Sequence, residues 1–172
     1  MESNYFALLE LPVAFDLDKE HLRKLYTQLQ QRFHPDRVAT LSTEDRQKNL
    51  QLSMDINQAY HTLKDPLLRA QHLLALEGIQ VNGENDTIKP PPALLMEMME
   101  FREAIQEGSV VHLQALQDAL AKQWNDGLDS LSNAFRTKHM ARAAEETIRL
   151  RYIEKIRQEL RIKLQHGKES LV

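Results

Sequence analysis

The residues best suited to chemistry in this sequence are His34 and Asp36, which flank Pro35 in a short polar stretch. An imidazole and a carboxylate in this arrangement have the residue types of an acid–base pair. Proline disfavours helical geometry at the residue before it, so Pro35 should hold His34 on a stiff, exposed loop, without the buried pocket that shifts catalytic pKa values. The triplet therefore favours a loop that a partner recognises. The plainer alternative is that Pro35 ends a helix and Asp36 caps a turn.

Other catalytic and metal-binding arrangements find little support in the composition. The chain has no cysteine, which excludes a thiolate nucleophile, a disulfide framework, a thiolate zinc site and thiolate ligation of an iron–sulfur cluster. None of the seven histidines pairs with another at the helical spacing of a zinc site. The sequence also lacks the glycine-rich loop and lysine that cradle a nucleotide phosphate. We therefore expect no cofactor, no metal site and no enzymatic activity.

The elements that would position the triplet are helices. The 172 residues include only five glycines and six prolines, and apolar residues recur at spacings of three and four, so the sequence predicts an all-α fold. A short first helix should end before Pro12. Capping residues predict where the next three helices begin, at Asp18, at Ser42 or Thr43, and at Asp65 followed by Pro66. The triplet would then lie between the second and third helices.

A change in composition predicts two domains. Residues 78–92 are rich in Asn, Gly, Asp and Pro, as linkers are. The helices before them, in residues 1–77, would form one compact unit, a helical hairpin with flanking short helices. Residues 93–172 carry three apolar stripes and predict a three-helix bundle, with Gly127 inside its second helix.

Charge and hydropathy argue against nucleic acid and membranes as partners. The formal net charge of −3 gives no large positive field, and the basic residues of the last helices alternate with glutamates, as on an ordinary solvated surface. No apolar run is long enough to cross a bilayer. The first residues carry no basic segment followed by an apolar stretch, so the cytoplasm is the expected location.

The fifth helix contains more apolar residues than one buried stripe can use. At 100° per residue, Leu94, Met98, Phe101 and Ile105 share one face. The opposite side holds Leu95, Met96, Met99, Glu100 and Glu103, and on the last helix Ile148 and Tyr152 are displaced from the core stripe in the same way. We expect an exposed apolar surface rimmed by carboxylates, which is typical of an interaction site. The alternative is that the bundle buries these residues.

Motifs on both sides of the triplet resemble a J domain: Tyr5-Phe6, Leu8-Leu9, Tyr26, Phe33, Ile56-Asn57-Gln58-Ala59-Tyr60, Leu63 and Asp65-Pro66. The resemblance implies a co-chaperone that docks on a heat-shock ATPase of the HscA or DnaK class and stimulates ATP hydrolysis by that partner. The implied docking residues are Arg23, Lys24, Arg32, His34, Pro35, Asp36 and Arg37. The second helix is less basic than is common in J domains, which favours a specialised chaperone.

The order of J domain, linker and helical bundle, with LLRAQHLL at 67–74 and Leu95-Met96-Glu97, resembles the HscB family of co-chaperones. That resemblance implies that the chain brings an iron–sulfur scaffold protein of the IscU class to its chaperone and assists iron–sulfur cluster assembly. The scaffold-binding positions it implies are Leu95, Met96, Met99, Glu100, Glu103 and Tyr152. A J protein with a different client for the same surface is the open alternative.

Overall fold

The computed structural model describes residues 4–33, 42–83 and 86–169, and in these ranges the regular structure is entirely α-helical. The helices there are α1 (Tyr5–Leu8), α2 (Lys19–Arg32), α3 (Thr43–Lys64), α4 (Pro66–Leu76), α5 (Pro92–Glu107), α6 (Val110–Arg136) and α7 (Met140–Glu169). They belong to two compact units, Met1–Gly78 and Ile79–Val172. The predicted all-α fold is confirmed.

Side-chain caps begin the helices of the N-terminal unit, because the first amides of a helix have no partner within it. Asp18 accepts hydrogen bonds from two amides of α2, and Asp65 accepts two from α4, where Pro66 takes the first position. Ser42 accepts from the amide of Asp45 at 3.2 Å, and its hydroxyl donates to the Asp45 carboxylate at 2.7 Å. Each cap contributes about 1 kcal/mol. The helix starts predicted at these three capping residues are confirmed.

Contacts between α2 and α3 fix the rotation of α2 about its axis. Leu22 on α2 and Ile56 on α3 are buried. Tyr26 stacks on Tyr60 with 4.0 Å between ring centroids, and its hydroxyl donates to Asn57 Oδ1 at 2.9 Å. A helix held by one apolar stripe and one polar contact has a defined outward side. These contacts therefore decide which residues of α2 face solvent.

In the C-terminal unit, close packing of α6 on α7 depends on Gly127. Leu131 on α6 and Leu150 on α7 are buried, and Gly127 is buried about one turn before Leu131, inside α6 as the sequence predicted. A Cβ atom at Gly127 would lie 2.5 Å from Leu150 Cδ2 and 2.8 Å from Glu146 Oε1. The absence of a side chain lets the two helices approach at this point.

The segment before α5 is tied to α7 by Arg151. Its guanidinium donates to the Val81 carbonyl oxygen at 2.6 Å, and to Asp86 through Nη1–Oδ1 at 3.1 Å and Nη2–Oδ2 at 2.6 Å. The Val81 side chain is buried. Gly83 lies beside the guanidinium with a φ of 101°, a conformation that favours glycine. Residues 79–83 and 86–91, predicted as linker, therefore belong to the C-terminal unit.

Gly127→Ala should destabilise the C-terminal unit. The new methyl group would meet the buried Leu150 side chain, and overpacking of this kind costs about 1 to 3 kcal/mol, against a gain of up to about 1 kcal/mol in helix propensity. Urea unfolding followed by fluorescence of Trp124, the single tryptophan, should show a net loss of about 1 kcal/mol. The control Asn125→Ala, at an exposed position of α6, should be neutral or stabilising. Equal stability of the two variants would contradict the packing account.

Asp86→Asn should destabilise the same unit in a pH-dependent way. The hydrogen bond from Arg151, aided by the Gly83 amide, holds the pKa of Asp86 below its usual value, against the opposing effect of burial. The ionised pair therefore stabilises the fold above the unfolded-state pKa of about 3.9, and this contribution is lost as the pH falls through the lower folded-state pKa.

At pH 7 the variant should lose about 2 to 3 kcal/mol of unfolding free energy, because the Arg151 charge is left largely buried without its partner. The difference from wild type should shrink as the pH falls below about 4. Asp129→Asn, which removes an exposed carboxylate from α6, serves as the control and should change stability little at any pH. A difference between Asp86→Asn and wild type that is constant down to about pH 3 would refute the assignment.

Candidate interaction surfaces

The outward side of α2 carries two of the predicted docking residues. Arg23 and Lys24 are exposed and line a shallow groove of about 420 Å³ with Glu20, Thr27, Gln28 and Gln31. Arg32 lies elsewhere, in a separate depression formed with Leu9, Glu10, Leu25, Gln28 and Leu29. Its guanidinium is 5.3 Å from the Phe33 ring centroid. The structure thus brings Arg23 and Lys24 together and places Arg32 in an adjoining depression that shares Gln28 with their groove. His34, Pro35, Asp36 and Arg37 lie outside the described residues.

The apolar residues of α5 divide between two sides, as the sequence predicted. On the predicted core side Leu94, Met98 and Ile105 are buried, and Phe101 is half-buried. In contrast, Leu95, Met96 and Met99 are 40%, 64% and 61% exposed. The alternative that the bundle buries these three residues is therefore wrong. Glu100 and Glu103 are exposed on the same helix. We refer to Leu95, Met96, Met99, Glu100 and Glu103 as the α5 face.

On α7 the two predicted extensions of this surface have different outcomes. Tyr152 is half-buried, whereas Ile148 is 1% exposed, so the expectation that Ile148 extends the surface is wrong. The physical reason is that α7 packs against both α5 and α6. A helix with two neighbours buries a wider arc than a single apolar stripe. Helix α5 packs mainly on α7, so one apolar stripe describes its buried side. The same assumption of one stripe underestimates how many residues of α7 are buried.

An ion pair joins α5 to α7 near Tyr152. Arg102 donates to Glu159 through Nε–Oε2 at 3.1 Å and through Nη2–Oε1 at 3.1 Å. The hydrogen bond to Glu159 raises the pKa of Arg102, so the guanidinium remains charged at any physiological pH. The paired geometry holds the two helices in one register. Sequence reasoning missed this pair, because the partners are 57 residues apart and each is an ordinary charge on a helix.

Tyr152 is flanked by cations on its own helix. The Arg151 Cζ and the Lys155 Nζ atoms are each 5.7 Å from the Tyr152 ring centroid, a distance at which a cation is attracted to the face of an aromatic ring. Arg151 also binds Asp86 and the Val81 carbonyl oxygen. Tyr152 therefore lies next to an arginine that is fixed by the segment with Val81 and Asp86.

Metal-binding clusters and membrane-spanning helices are two further kinds of site that the described residues lack. Within residues 4–33, 42–83 and 86–169, no group of three His, Cys, Asp or Glu side chains could hold a metal ion. In the same ranges no helix has the length and apolar character needed to cross a membrane. The predicted binding residues that the structure describes lie mainly on two exposed surfaces, one on α2 and one on α5.

The C-terminal unit matches a family model described as the HSCB C-terminal oligomerisation domain, over residues 90–161. A co-chaperone protein HscB homolog from Vibrio cholerae is 38% identical over 165 residues, which cover 91% of this chain and 94% of the relative. A homolog from Pseudoalteromonas atlantica is 36% identical over 168 residues, covering 93% and 95%.

Two solved structures extend the similarity to the fold. The chaperone HscB from Vibrio cholerae has a TM-score of 0.83 at 34% identity, and the alignment covers 99% of this chain and 100% of that one. The human co-chaperone protein HscB has a TM-score of 0.85 at 28% identity, covering 94% and 82%. Since sequence and fold agree over nearly the whole chain, this chain belongs to the HscB family of co-chaperones.

Proposed function

We propose that this co-chaperone binds an iron–sulfur scaffold protein of the IscU class and brings it to a heat-shock ATPase chaperone of the HscA class. There it stimulates ATP hydrolysis by the chaperone and so assists iron–sulfur cluster assembly. The observation that carries the proposal is the exposure of Leu95, Met96 and Met99 on α5. A family member that holds three large apolar side chains in water on one helix has a surface built for a protein partner.

The α2 side supports the chaperone half of the proposal. Arg23 and Lys24 are exposed at one groove, and α2 ends at Arg32, directly before the His34-Pro35-Asp36 triplet in the sequence. Contacts with α3 through Tyr26 fix the rotation of α2. A cationic helix of fixed rotation next to the triplet is suited to docking on a carboxylate-bearing partner. We expect Arg23, Lys24 and the triplet to act together, with Arg32 at the adjoining depression and Arg37 directly after the triplet in the sequence.

The α5 face supports the scaffold half. Leu95, Met96 and Met99 are partly accessible already in the free protein, so a partner can cover them without unfolding the bundle. Methionine side chains are flexible and polarizable, which lets them adapt to an uneven partner surface. Glu100 and Glu103 at the edge would favour a partner with basic residues around an apolar centre. Tyr152 would extend the contact onto α7.

A different client for the same α5 face is the second candidate. The same three exposed side chains favour it equally, because apolar contacts alone carry little information about the partner. Direct binding measurements with a purified scaffold protein of the IscU class separate the two candidates. Micromolar or tighter binding that depends on the α5 face supports the scaffold, and binding that is absent or independent of the face favours another client.

His34→Gln should abolish stimulation of the chaperone's ATP hydrolysis without affecting the fold. The substitution removes the imidazole from the triplet and changes no residue of the α5 face. Single-turnover ATPase measurements with an HscA-class chaperone should give the basal rate, while calorimetry shows unchanged scaffold affinity. His61→Gln, at an exposed histidine of α3, is the matched control and should stimulate like wild type. If His34→Gln stimulates ATP hydrolysis as fully as wild type, the assignment of the triplet to chaperone docking is refuted.

Combined substitution of Leu95→Ser and Met99→Ser should weaken scaffold binding by roughly 2 to 4 kcal/mol, since truncation of central apolar contacts costs about that much. Helix content from circular dichroism should stay close to wild type, because both side chains are exposed. The control is Val111→Ser on α6, which removes a more exposed apolar side chain that is not part of the α5 face. Unchanged affinity of the double variant would mean that the scaffold, if bound, uses another surface.

A further inference from the structure

Three cations lie on the α7 side of the α5 face. Arg151 and Lys155 flank the Tyr152 ring at 5.7 Å. Arg102, on α5, pairs with Glu159 two turns after Tyr152. Since Glu159 and Asp86 neutralise the two arginines, Lys155 leaves one net positive charge on this side, in contrast to the carboxylates of the α5 face.

Two of these three cations already bind carboxylates within the protein. Arg102 donates two hydrogen bonds to Glu159. Arg151 donates hydrogen bonds to Asp86 and to the Val81 carbonyl oxygen. Lys155 is exposed, and within the described residues it makes no ion pair. The nearby Asp86 carboxylate is bound by Arg151 and by the Gly83 amide. Lys155 is thus the cation of this group that no carboxylate binds in the described residues; its ammonium lies over the Tyr152 ring, and its charge adds to the lowering of the Asp86 pKa.

The register of α5 and α7 places Lys155 beside the α5 face. Consecutive helices of a three-helix bundle alternate in direction, so α5 and α7 run the same way. Leu95 precedes Arg102 by seven residues, and Tyr152 precedes Glu159 by seven. Both therefore lie about 10.5 Å before the Arg102–Glu159 pair, at the same level of the bundle. Lys155 follows Tyr152 by less than one turn, so it borders the same surface.

The angular order on α5 separates the charges across this surface. At 100° per residue, Arg102, which faces α7, is followed by Leu95 and then Met99. Glu103 and Met96 come next, and Glu100 comes last. Both carboxylates are therefore in the half of the α5 face that is turned away from α7, where Glu103 lies between Met99 and Met96. Glu100 and Glu103 are exposed and, in the part of the chain that the structure describes, take part in no ion pair. The surface has an apolar centre, a negative side and a positive side.

We propose that Lys155 is a docking residue of this surface and receives a carboxylate of the scaffold protein, while Glu100 and Glu103 face basic side chains of that protein. This inference rests on the proposed function. The partner it fits has an apolar patch with an acidic residue on one side and basic residues on the other. A protein with the opposite arrangement meets like charges on both sides, so Lys155 sets the orientation and identity of the partner as well as its encounter rate.

The test compares charge-matched variants on α7. Lys155→Gln should weaken binding to a purified apo scaffold protein of the IscU class by about two- to fivefold, the range of one exposed ion pair. Lys155→Glu should weaken it further. The loss should fade between about 50 mM and 300 mM salt, because exposed charges are screened. Lys155→Arg should bind like wild type.

The matched control is Arg142→Gln, which removes the same charge from an exposed site of α7, 13 residues before Lys155 and about 20 Å along the axis. It should bind the scaffold like wild type. Carbodiimide cross-linking adds a direct readout, because it joins a lysine amine to a carboxylate in contact. Peptide mass spectrometry should find Lys155 joined to an acidic scaffold residue.

The outcomes separate this inference from the function on which it rests. Wild-type affinity in Lys155→Gln, or an equal loss in Arg142→Gln, overturns the role of Lys155. If the variant with Leu95→Ser and Met99→Ser still loses affinity in that case, the scaffold-binding function stands and only the positive side of the surface is refuted. Unchanged thermal stability of Lys155→Gln shows that its effect, where found, comes from the contact and not from the fold.

Discussion

The burial of Leu94, Met98 and Ile105 is the constraint on which the α5 face depends. Successive side chains on a helix turn by 100°, so placing these three in the core leaves no freedom in the rotation of α5. Leu95, Met96 and Met99 must then face water. The opposite rotation would bury Leu95, Met96 and Met99 but would carry Glu100 and Glu103 into the interior, where unpaired carboxylates are strongly disfavoured. The charges on the outer side thus select the rotation that leaves apolar side chains exposed.

Two ion pairs fix the position of α5 and of the segment before it against α7. The Arg102–Glu159 pair sets the register of α5 against α7. Arg151 ties the segment with Val81 and Asp86 to α7 next to Tyr152. Both arginines bind through two nitrogens, which fixes geometry better than the point charge of a lysine. The structure therefore uses its arginines for internal positioning and leaves Lys155, a flexible cation, at the edge of the surface.

Local patterns in the sequence predicted the fold well where the determinants are local. The caps at Asp18, Ser42 and Asp65 act on amides two or three residues away. The two sides of α5 follow from its own periodicity. The Arg151–Asp86 contact spans 65 residues and leaves no pattern in either segment, so residues 79–83 and 86–91 could be interpreted only by their composition. Ile148 was misplaced for a related reason, since its burial depends on a second neighbouring helix.

The size of the α5 face also limits what its apolar residues can achieve alone. Complete burial of three such side chains contributes roughly 5 to 9 kcal/mol, and Leu95, Met96 and Met99 start partly covered, so their gain is smaller. The loss of translational and rotational freedom on association costs about 4 to 15 kcal/mol, which is comparable. Apolar contact by itself therefore gives weak binding with little orientation. The carboxylates on one side and Lys155 on the other add the affinity and the orientation that apolar contact lacks. Charges at the edge of a surface raise the encounter rate and favour one orientation of the partner. Binding of this strength stays reversible.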